Sequence, residues 1–199
     1  MAKQIKMKNK VAFIISRIFE LPNLFLVSTF LLFQKNEVDL NEIWVWLLLT
    51  MLFLVIAPIS YYLYAREKGI ISDLDMTKRE QRTGFYIIAI LSSLILLVLT
   101  FIWKAPQVLK FFTLAILVNY FFFAAVNLYW KISLHTGFVT VACVILTLFL
   151  GKIWILSFIL VFIVGWSRYI LQKHTLAQLF GGSFASGLIT YIIFKIFGY

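Results

Sequence analysis

Long apolar stretches constrain this chain more than any other feature of its sequence. A membrane-spanning helix needs about 20 mainly apolar residues, and seven stretches of the 199-residue chain approach or exceed that length. They cover about 11–33, 43–64, 84–103, 108–129, 135–151, 153–170 and 176–197. The pattern predicts an all-α integral membrane protein, a bundle of six to seven transmembrane helices that forms a single domain over 1–199.

The composition excludes the other classes of protein. Hydrophobic residues make up 63% of the sequence and charged residues 13%, whereas a soluble domain has about 45–50% apolar and about 25% charged residues. A soluble or disordered chain is therefore excluded. The net charge of +10 does not indicate nucleic-acid binding, because the cations are scattered among short connectors and form no patch. We expect the bilayer as a partner and no nucleic acid, while the sequence indicates no oligomeric state.

The first apolar stretch has two interpretations. It contains Arg17, Glu20 and Pro22, and Arg17 and Glu20 are three residues apart on one helical face, where they can form an ion pair. The stretch is too long for a signal peptide and lacks a small-residue cleavage site. We expect an uncleaved first span, with an interfacial or re-entrant segment as the alternative.

The basic residues near the ends of the stretches predict the orientation, because Lys and Arg near span ends stay on the cytoplasmic side. If all seven stretches cross, twelve Lys and Arg residues lie on the face that carries the N-terminus and the connectors 65–83, 130–134 and 167–175. Five lie on the opposite face. The twelve-residue face is predicted to be cytoplasmic in a multi-pass protein of the cell membrane.

Three polar clusters, at 72–83, 131–137 and 167–178, adjoin the apolar stretches. Polar residues at the edges of membrane helices are costly to place and are therefore functional candidates. Two spans separate each cluster from the next, so all three emerge on the same membrane face whatever the first stretch does. The only two histidines of the chain, His135 and His174, lie in these clusters.

The cations of the clusters indicate a site for a phosphate. Arg82, Lys131 and Arg168 supply charge-assisted donors, and a guanidinium fork matches a phosphate well. Ser133 adds a hydroxyl donor. Two histidines beside such a site allow one to attack phosphorus while the other protonates the leaving oxygen.

One histidine has a predicted partner on its own helix. His174 and Gln178 are at i and i+4, so on a helix that begins near Lys173 they share a face, and the amide oxygen can accept the imidazole N–H. Arg168 and His174 are six residues apart, which requires a turn between the sixth and seventh stretches if both are to reach one ligand.

In these residues the chain resembles the type 2 phosphatidic acid phosphatase family, relatives of the vanadium haloperoxidases. The family pattern is Lys, six residues, Arg-Pro; then Pro-Ser-Gly-His; then Ser-Arg, five residues, His, three residues, Asp. The resemblance covers about 75–180. The corresponding residues here are Asp75, six residues, Arg82-Thr83; then Ile132-Ser133-Leu134-His135; then Ser167-Arg168, five residues, His174, three residues, Gln178.

The resemblance implies a bundle of membrane helices and dephosphorylation through a phosphohistidine, without a metal ion or other cofactor. It implies His174 as the nucleophile, His135 as the general acid, Gln178 as the orienting residue, and Arg168, Arg82 and Ser133 as phosphate ligands. The chain departs from the family at Asp75, where Lys78 or Lys131 can replace the missing cation, and at Gln178, which carries no charge. The family's usual active face is outside the cytosol, opposite to the charge count.

Several of these residues also have a purely structural explanation. Lys78 and Arg79 are equally well explained as cations that set the orientation in the membrane, and Lys131 as a lysine at the membrane interface. Asp75, Lys78 and Ser167 stay candidate site residues without an assigned role. Asp73 and Asp75 are more simply neutralising partners than metal ligands. Small residues at 181–187 predict close packing of the last helix.

Three functions fit the sequence. The first is a phosphatase that hydrolyses a lipid phosphomonoester or diphosphate, either phosphatidate or a polyprenyl (isoprenoid) phosphate, since the clusters lie where a lipid headgroup sits. The second is a non-catalytic lipid-phosphate binding or transport protein. The third is a Mg²⁺-dependent intramembrane prenyltransferase, prompted by Asp73 and Asp75, although such enzymes use two acidic motifs and only one is present.

Overall fold

The computed structural model describes residues 2–19, 21–35 and 39–198. These ranges are helical and contain no strand. The α-helices within them are α1 (Ala2–Ile18), α2 (Leu21–Lys35), α3 (Leu40–Met51), α4 (Ala57–Glu67), α5 (Thr83–Ile102), α6 (Gln107–Asn127), α7 (Leu134–Leu150), α8 (Ile159–Ile170) and α9 (Leu176–Ile196). A π-helical turn, Leu52–Ile56, joins α3 to α4, and 3₁₀ turns at Arg79–Arg82 and Lys152–Phe158 precede α5 and α8.

The prediction of an all-α membrane protein is confirmed. Five helices of the described ranges are long and apolar enough to cross a bilayer: Glu42–Glu67, Arg79–Ile102, Gln107–Asn127, Lys152–Ile170 and Leu176–Ile196. Helix α7 is equally apolar but shorter. The chain is thus a multi-pass membrane protein. Judged by the length and composition of its helices, the described part has five candidate spans, fewer than the six to seven predicted.

The stretch 11–33, expected to be one span or else an interfacial or re-entrant segment, is not one continuous helix. Helix α1 ends at Ile18 and α2 begins at Leu21. Pro22 lies in the first turn of α2, where a missing N–H costs nothing, but it cannot continue a helix that arrives from the N-terminal side. The predicted partner of Arg17, Glu20, lies outside the described residues.

The two N-terminal helices pack on different neighbours, α1 against α8 and α2 against α7. An aromatic cluster joins α2 to α6 and α7: the Phe138 ring lies 5.4 Å from the Phe25 ring and 4.9 Å from the Tyr120 ring, centroid to centroid. All three side chains are almost completely buried. This cluster fixes the first turns of α7, which carry His135.

Small residues bring α9 close to α7, as the sequence predicted. A Cβ atom on Gly182 would lie 2.5 Å from the Ser133 carbonyl oxygen, and one on Gly137 would lie 2.4 Å from the Phe123 ring. Neither distance is compatible with a side chain, so glycine at 137 and 182 permits the approach. The close packing places the start of α9 beside the start of α7.

Candidate functional site

The three polar clusters meet at one end of the helix bundle. Each contributes a hydrogen bond to a neighbour: Arg82 Nη1 to the Ile132 carbonyl at 3.1 Å, Lys131 Nζ to the Lys173 carbonyl at 2.7 Å, and the Ser133 N–H to the Gln178 carbonyl at 3.3 Å. The convergence predicted from the number of intervening spans is therefore confirmed.

The Asp75 carboxylate lies at the centre of the cations. Its Oδ1 is 2.8 Å from Arg168 Nη2, its Oδ2 is 3.2 Å from Lys173 Nζ, and Arg17 Nη2 is 4.0 Å from Oδ1. Burial raises the pKa of Asp75, but Arg168 and Lys173 outweigh it and lower this pKa to about 2. The carboxylate is therefore ionised at neutral pH and neutralises part of the cluster, as predicted.

Arg168 is buried, with 1% of its surface exposed. Its Nη1 donates to Ser16 Oγ at 2.7 Å, and its Nη2 donates to Asp75. Its Nε–H has no hydrogen-bond partner in the described part of the chain. A buried guanidinium edge with one unused donor is suited to an incoming oxyanion.

The neighbouring Ser167 has a packing contact. Its hydroxyl donates to the Ala12 carbonyl at 2.7 Å and is fully buried against α1. This bond and the bond from Arg168 to Ser16 attach α1 to the last turn of α8. Ser167 therefore positions α1, and the geometry gives it no phosphate contact.

Arg82 holds the connector between α4 and α5. Its Nε donates to the Met76 carbonyl at 2.9 Å, its Nη1 to Ile132, and its Nη2 to the Asp75 carbonyl at 3.4 Å. Only 3% of Arg82 is exposed. The guanidinium thus fixes the backbone on which the Asp75 side chain stands, while its role as a phosphate ligand stays a prediction.

Asp73 stabilises the same connector. Its Oδ1 accepts the Asp75 N–H and the Thr77 hydroxyl, and its Oδ2 accepts the Thr77 N–H, at 2.8–3.0 Å. Burial raises the pKa of Asp73, but these hydrogen bonds leave it below its usual range. Both oxygens are engaged within the loop, which agrees with a structural carboxylate better than with a metal ligand. Within the described ranges no group of three or more His, Cys, Asp or Glu residues is placed to hold a metal ion.

His174 and Gln178 form the predicted pair, with Nδ1 3.3 Å from Oε1. The same Oε1 accepts the Thr175 N–H at 3.1 Å, while Thr175 Oγ1 accepts the Gln178 N–H at 3.3 Å. This capping box begins α9. Because the atom facing the Thr175 N–H must be an oxygen, His174 donates from Nδ1 and Nε2 carries the lone pair.

The surroundings of His174 keep it uncharged. Burial, and then the nearby charges of Arg82, Arg168 and Lys131, lower the pKa of His174 from its usual 6.5 to about 2. Only 6% of the residue is exposed. At neutral pH this imidazole is therefore neutral, with an unprotonated Nε2.

His135 lies in the first turn of α7, and its buried Nε2 has no partner among the described residues. It lines a cavity of about 320 Å³ together with Asp75 and Arg17. The rest of the lining is mainly apolar and includes Pro58 and Phe85. The cavity thus joins the charged cluster to a space suited to an apolar group.

The three remaining candidates have different positions. Ser133 is fully buried and is the N-cap of α7, its Oγ accepting the Thr136 N–H at 3.4 Å. Lys131 is half-buried; burial, and then Arg82 among nearby cations, lowers its pKa to about 8. Lys78 is exposed at the surface. Their predicted phosphate contacts stay predictions.

Three residues of the site were not predicted. Lys173 was treated only as a topology charge, Arg17 was assigned to Glu20, and Ser16 was not considered. The signal for Arg17 was a lone cation inside an apolar stretch. Ser16 could not have been found from spacing, because its contact with Arg168 depends on the angle at which α1 packs on α8.

No protein-family model, curated protein or solved structure matches this chain.

Proposed function

We propose that the protein is a phosphatase of the type 2 phosphatidic acid phosphatase family, which removes phosphate from a membrane lipid through a phosphohistidine on His174. The observation that carries this proposal is the state of His174: a buried, neutral imidazole whose Nδ1–H is held by Gln178, in a cluster of cations. A nucleophile for phosphorus needs this combination of a free lone pair and neighbouring positive charge.

The proposed reaction has two steps. The phosphate monoester binds as its monoanion and gives its proton to His135. In the first step, His174 Nε2 attacks phosphorus, an N–P bond forms, the ester P–O bond breaks, and the leaving alcohol oxygen takes this proton from His135. In the second, His135 removes a proton from water as the water oxygen attacks phosphorus, and the N–P bond breaks to release inorganic phosphate. His174 is regenerated, and His135 passes its proton to the departing phosphate.

The cations support binding of the phosphoryl group. Arg168 offers its unused Nε–H, and Lys131 and Lys173 are held together by the bond from Lys131 Nζ to the Lys173 carbonyl. Donors of this kind stabilise the charge of the five-coordinate phosphorus more than that of the ground state.

The cavity beside His135 supports a lipid substrate. Its apolar lining adjoins the charged cluster, so a phosphoryl group at Arg168 can have its apolar alcohol portion in the cavity. Phosphatidate and polyprenyl phosphates or diphosphates both fit this description.

Phosphate release by the purified protein in detergent tests the proposal. We expect release from phosphatidate or a polyprenyl phosphate with no added metal and with a chelator present, together with an acid-labile phosphorylated protein when the lipid carries labelled phosphate. His174→Asn should abolish both signals, whereas Lys68→Gln, at an exposed cation of the same connector as Asp75, should retain them. Equal release by His174→Asn and the parent would refute the proposal.

A second candidate is a lipid-phosphate binding protein without turnover. The observation that favours it is the ion pair between Asp75 and Arg168, since this pair engages the Arg168 edge that a phosphate needs. This candidate predicts binding of phosphatidate that is lost in Arg168→Ala, with no phosphate released by either protein. A prenyltransferase is disfavoured by the engagement of Asp73 within its own loop.

A further inference from the structure

An internal carboxylate occupies the cluster that is proposed to hold phosphate. The two oxygens of Asp75 contact Arg168 at 2.8 Å and Lys173 at 3.2 Å, and only 12% of its side chain is exposed. A carboxylate bound by two cations in this way uses the donors that a phosphoryl oxygen uses. Asp75 and a phosphoryl group therefore compete for the same atoms.

Arg168 has one unused N–H donor next to the nitrogen that binds Asp75. Nε–H and one Nη2–H lie on the same edge of a guanidinium and together bind two oxygens of one anion. Here Nη2 is bound to Asp75 and Nη1 to Ser16, while the buried Nε–H has no partner in the described part of the chain. A phosphoryl group on Nε–H and Nη2–H would lie directly beside Asp75 Oδ1, which is 2.8 Å from Nη2, and the two negative groups repel each other unless Asp75 moves away.

We propose that a phosphoryl group enters the site by displacing the Asp75 carboxylate from Arg168 and Lys173, and that the released carboxylate moves to Arg17. The proposal depends on the proposed function only for the identity of the anion. In this proposal Asp75 lowers the affinity of the site for a phosphoryl group, including the inorganic phosphate released by the reaction.

The structure allows this movement without a change of the backbone. Arg82 holds the carbonyls of residues 75 and 76, and Asp73 holds the Asp75 N–H, so the connector stays in place while the side chain rotates. The cavity of about 320 Å³ that Asp75 and Arg17 both line provides the space. Arg17 Nη2 is already within 4.0 Å of Asp75 Oδ1.

The displacement has a cost that appears in the affinity. When a ligand binds only one of two states, its apparent dissociation constant is the intrinsic constant divided by the fraction of protein in that state. With Asp75 on Arg168 in most molecules, inorganic phosphate binds weakly. Removing the charge of Asp75 should increase the affinity.

The test measures binding of inorganic phosphate to the full chain in detergent, by equilibrium dialysis with labelled phosphate and by the phosphate-dependent rise in melting temperature. Asp75→Asn keeps the shape and removes the charge, and we expect its dissociation constant for phosphate to fall by about ten-fold or more. The matched control is Glu80→Gln, which removes the same charge from an exposed residue on the same face and beside Arg79. The control should change the constant by less than about two-fold, because exposed charges are screened.

Arg17 supplies a second test, which also serves if Asp75→Asn does not fold. Arg17→Gln removes the cation that receives the displaced carboxylate, so phosphate should bind more weakly, and by more than in Lys68→Gln, which removes an exposed cation of the same connector. In the Asp75→Asn background the Arg17 substitution should have a smaller effect. Weaker or unchanged phosphate binding by Asp75→Asn, or equal effects of Arg17→Gln and Lys68→Gln, would overturn the proposal.

These outcomes are separable from those of the proposed function. Tighter phosphate binding by Asp75→Asn with no hydrolysis of any lipid phosphate would support the displacement and refute the phosphatase. Hydrolysis by the parent together with weaker phosphate binding by Asp75→Asn would support the phosphatase and assign Asp75 to holding Arg168 in place.

Discussion

The pair of His174 and Gln178 makes a prediction that does not depend on any activity. The chain has two histidines, so labelling with ¹⁵N-histidine gives two sets of ring signals, which a His135→Asn variant assigns. We expect His174 in the parent to be neutral from pH 8 to pH 4, with its hydrogen on Nδ1. The reasons are its pKa of about 2 and the oxygen that faces Nδ1.

Two variants at Gln178 test the tautomer ratio and the pKa of His174, one by removing a hydrogen bond and the other by adding a charge. Gln178→Leu removes a bond worth about 1 kcal/mol, which changes the ratio of the two tautomers by about five-fold. Gln178→Glu keeps an acceptor at both positions and adds a negative charge. An opposite charge at this distance raises a histidine pKa by about 1–3 units, which still leaves His174 neutral at pH 7.

Thr175→Val separates the tautomer effect from the loss of the helix cap. It removes the hydroxyl that caps α9 but keeps the Gln178 oxygen beside Nδ1. The ring signals of His174 should therefore match the parent in Thr175→Val and show mixed tautomers in Gln178→Leu. A parent His174 that titrates near pH 6.5, or an unchanged tautomer in Gln178→Leu, would refute the reasoning.

Three further predictions concern stability in detergent, each measured by thermal or denaturant unfolding. Between pH 6.5 and about 2 the unfolded chain binds a proton at His174 that the folded chain does not. The free energy of unfolding therefore falls as the pH is lowered from 7 to 5, by up to about 1.4 kcal/mol per pH unit. His174→Asn should make this slope smaller, and a slope identical to that of the parent would contradict the assignment. Arg82→Ala leaves buried carbonyls without a donor and should lower the free energy of unfolding by about 3 kcal/mol. Lys78→Ala, at the surface, should lower it by less than about 0.5 kcal/mol. Equal losses would show that other contacts hold the connector. Gly182→Ala places a Cβ 2.5 Å from the carbonyl oxygen of Ser133, the N-cap of α7, and should lower the free energy of unfolding by about 1–3 kcal/mol. Gly165→Ala is the control, because its Cβ meets its nearest atom at 3.8 Å. A Gly182→Ala variant as stable as the parent would mean that the two helices separate readily.

The convergence of the three clusters could be predicted because it depends only on counting. Two spans between consecutive clusters return the chain to the same face, and an error in the first stretch leaves that parity unchanged. The pair of His174 and Gln178 was predicted from a separation of four residues on one helix, but α9 begins at Leu176, and the capping box at Thr175 brings Gln178 Oε1 to His174 Nδ1. Both inferences used local geometry or topology alone.

The partners of the buried charges could not be predicted in this way. Asp75 contacts Arg168 and Lys173 because helices from distant parts of the chain pack at a particular angle, which spacing does not encode. Ser133 was assigned to phosphate from its residue type, but a serine immediately before a helix is equally suited to capping it, and the structure shows this contact. The break after Ile18 could have been predicted from the sequence, because a proline such as Pro22 disfavours the continuation of a helix from the residues before it.

The position of Asp75 links the stability of the empty site to the chemistry proposed for it. Without Asp75, Lys173 and the buried Arg168 would lose the anion that contacts both of them, and leaving a buried ion without a partner costs several kcal/mol. An internal carboxylate removes much of this cost while no ligand is bound, but under the proposed function it also competes with the ligand. If the site binds phosphate as proposed, Asp75 lowers the affinity for phosphate while it stabilises the empty site. That exchange would let a carboxylate occupy the centre of an anion site without abolishing its use.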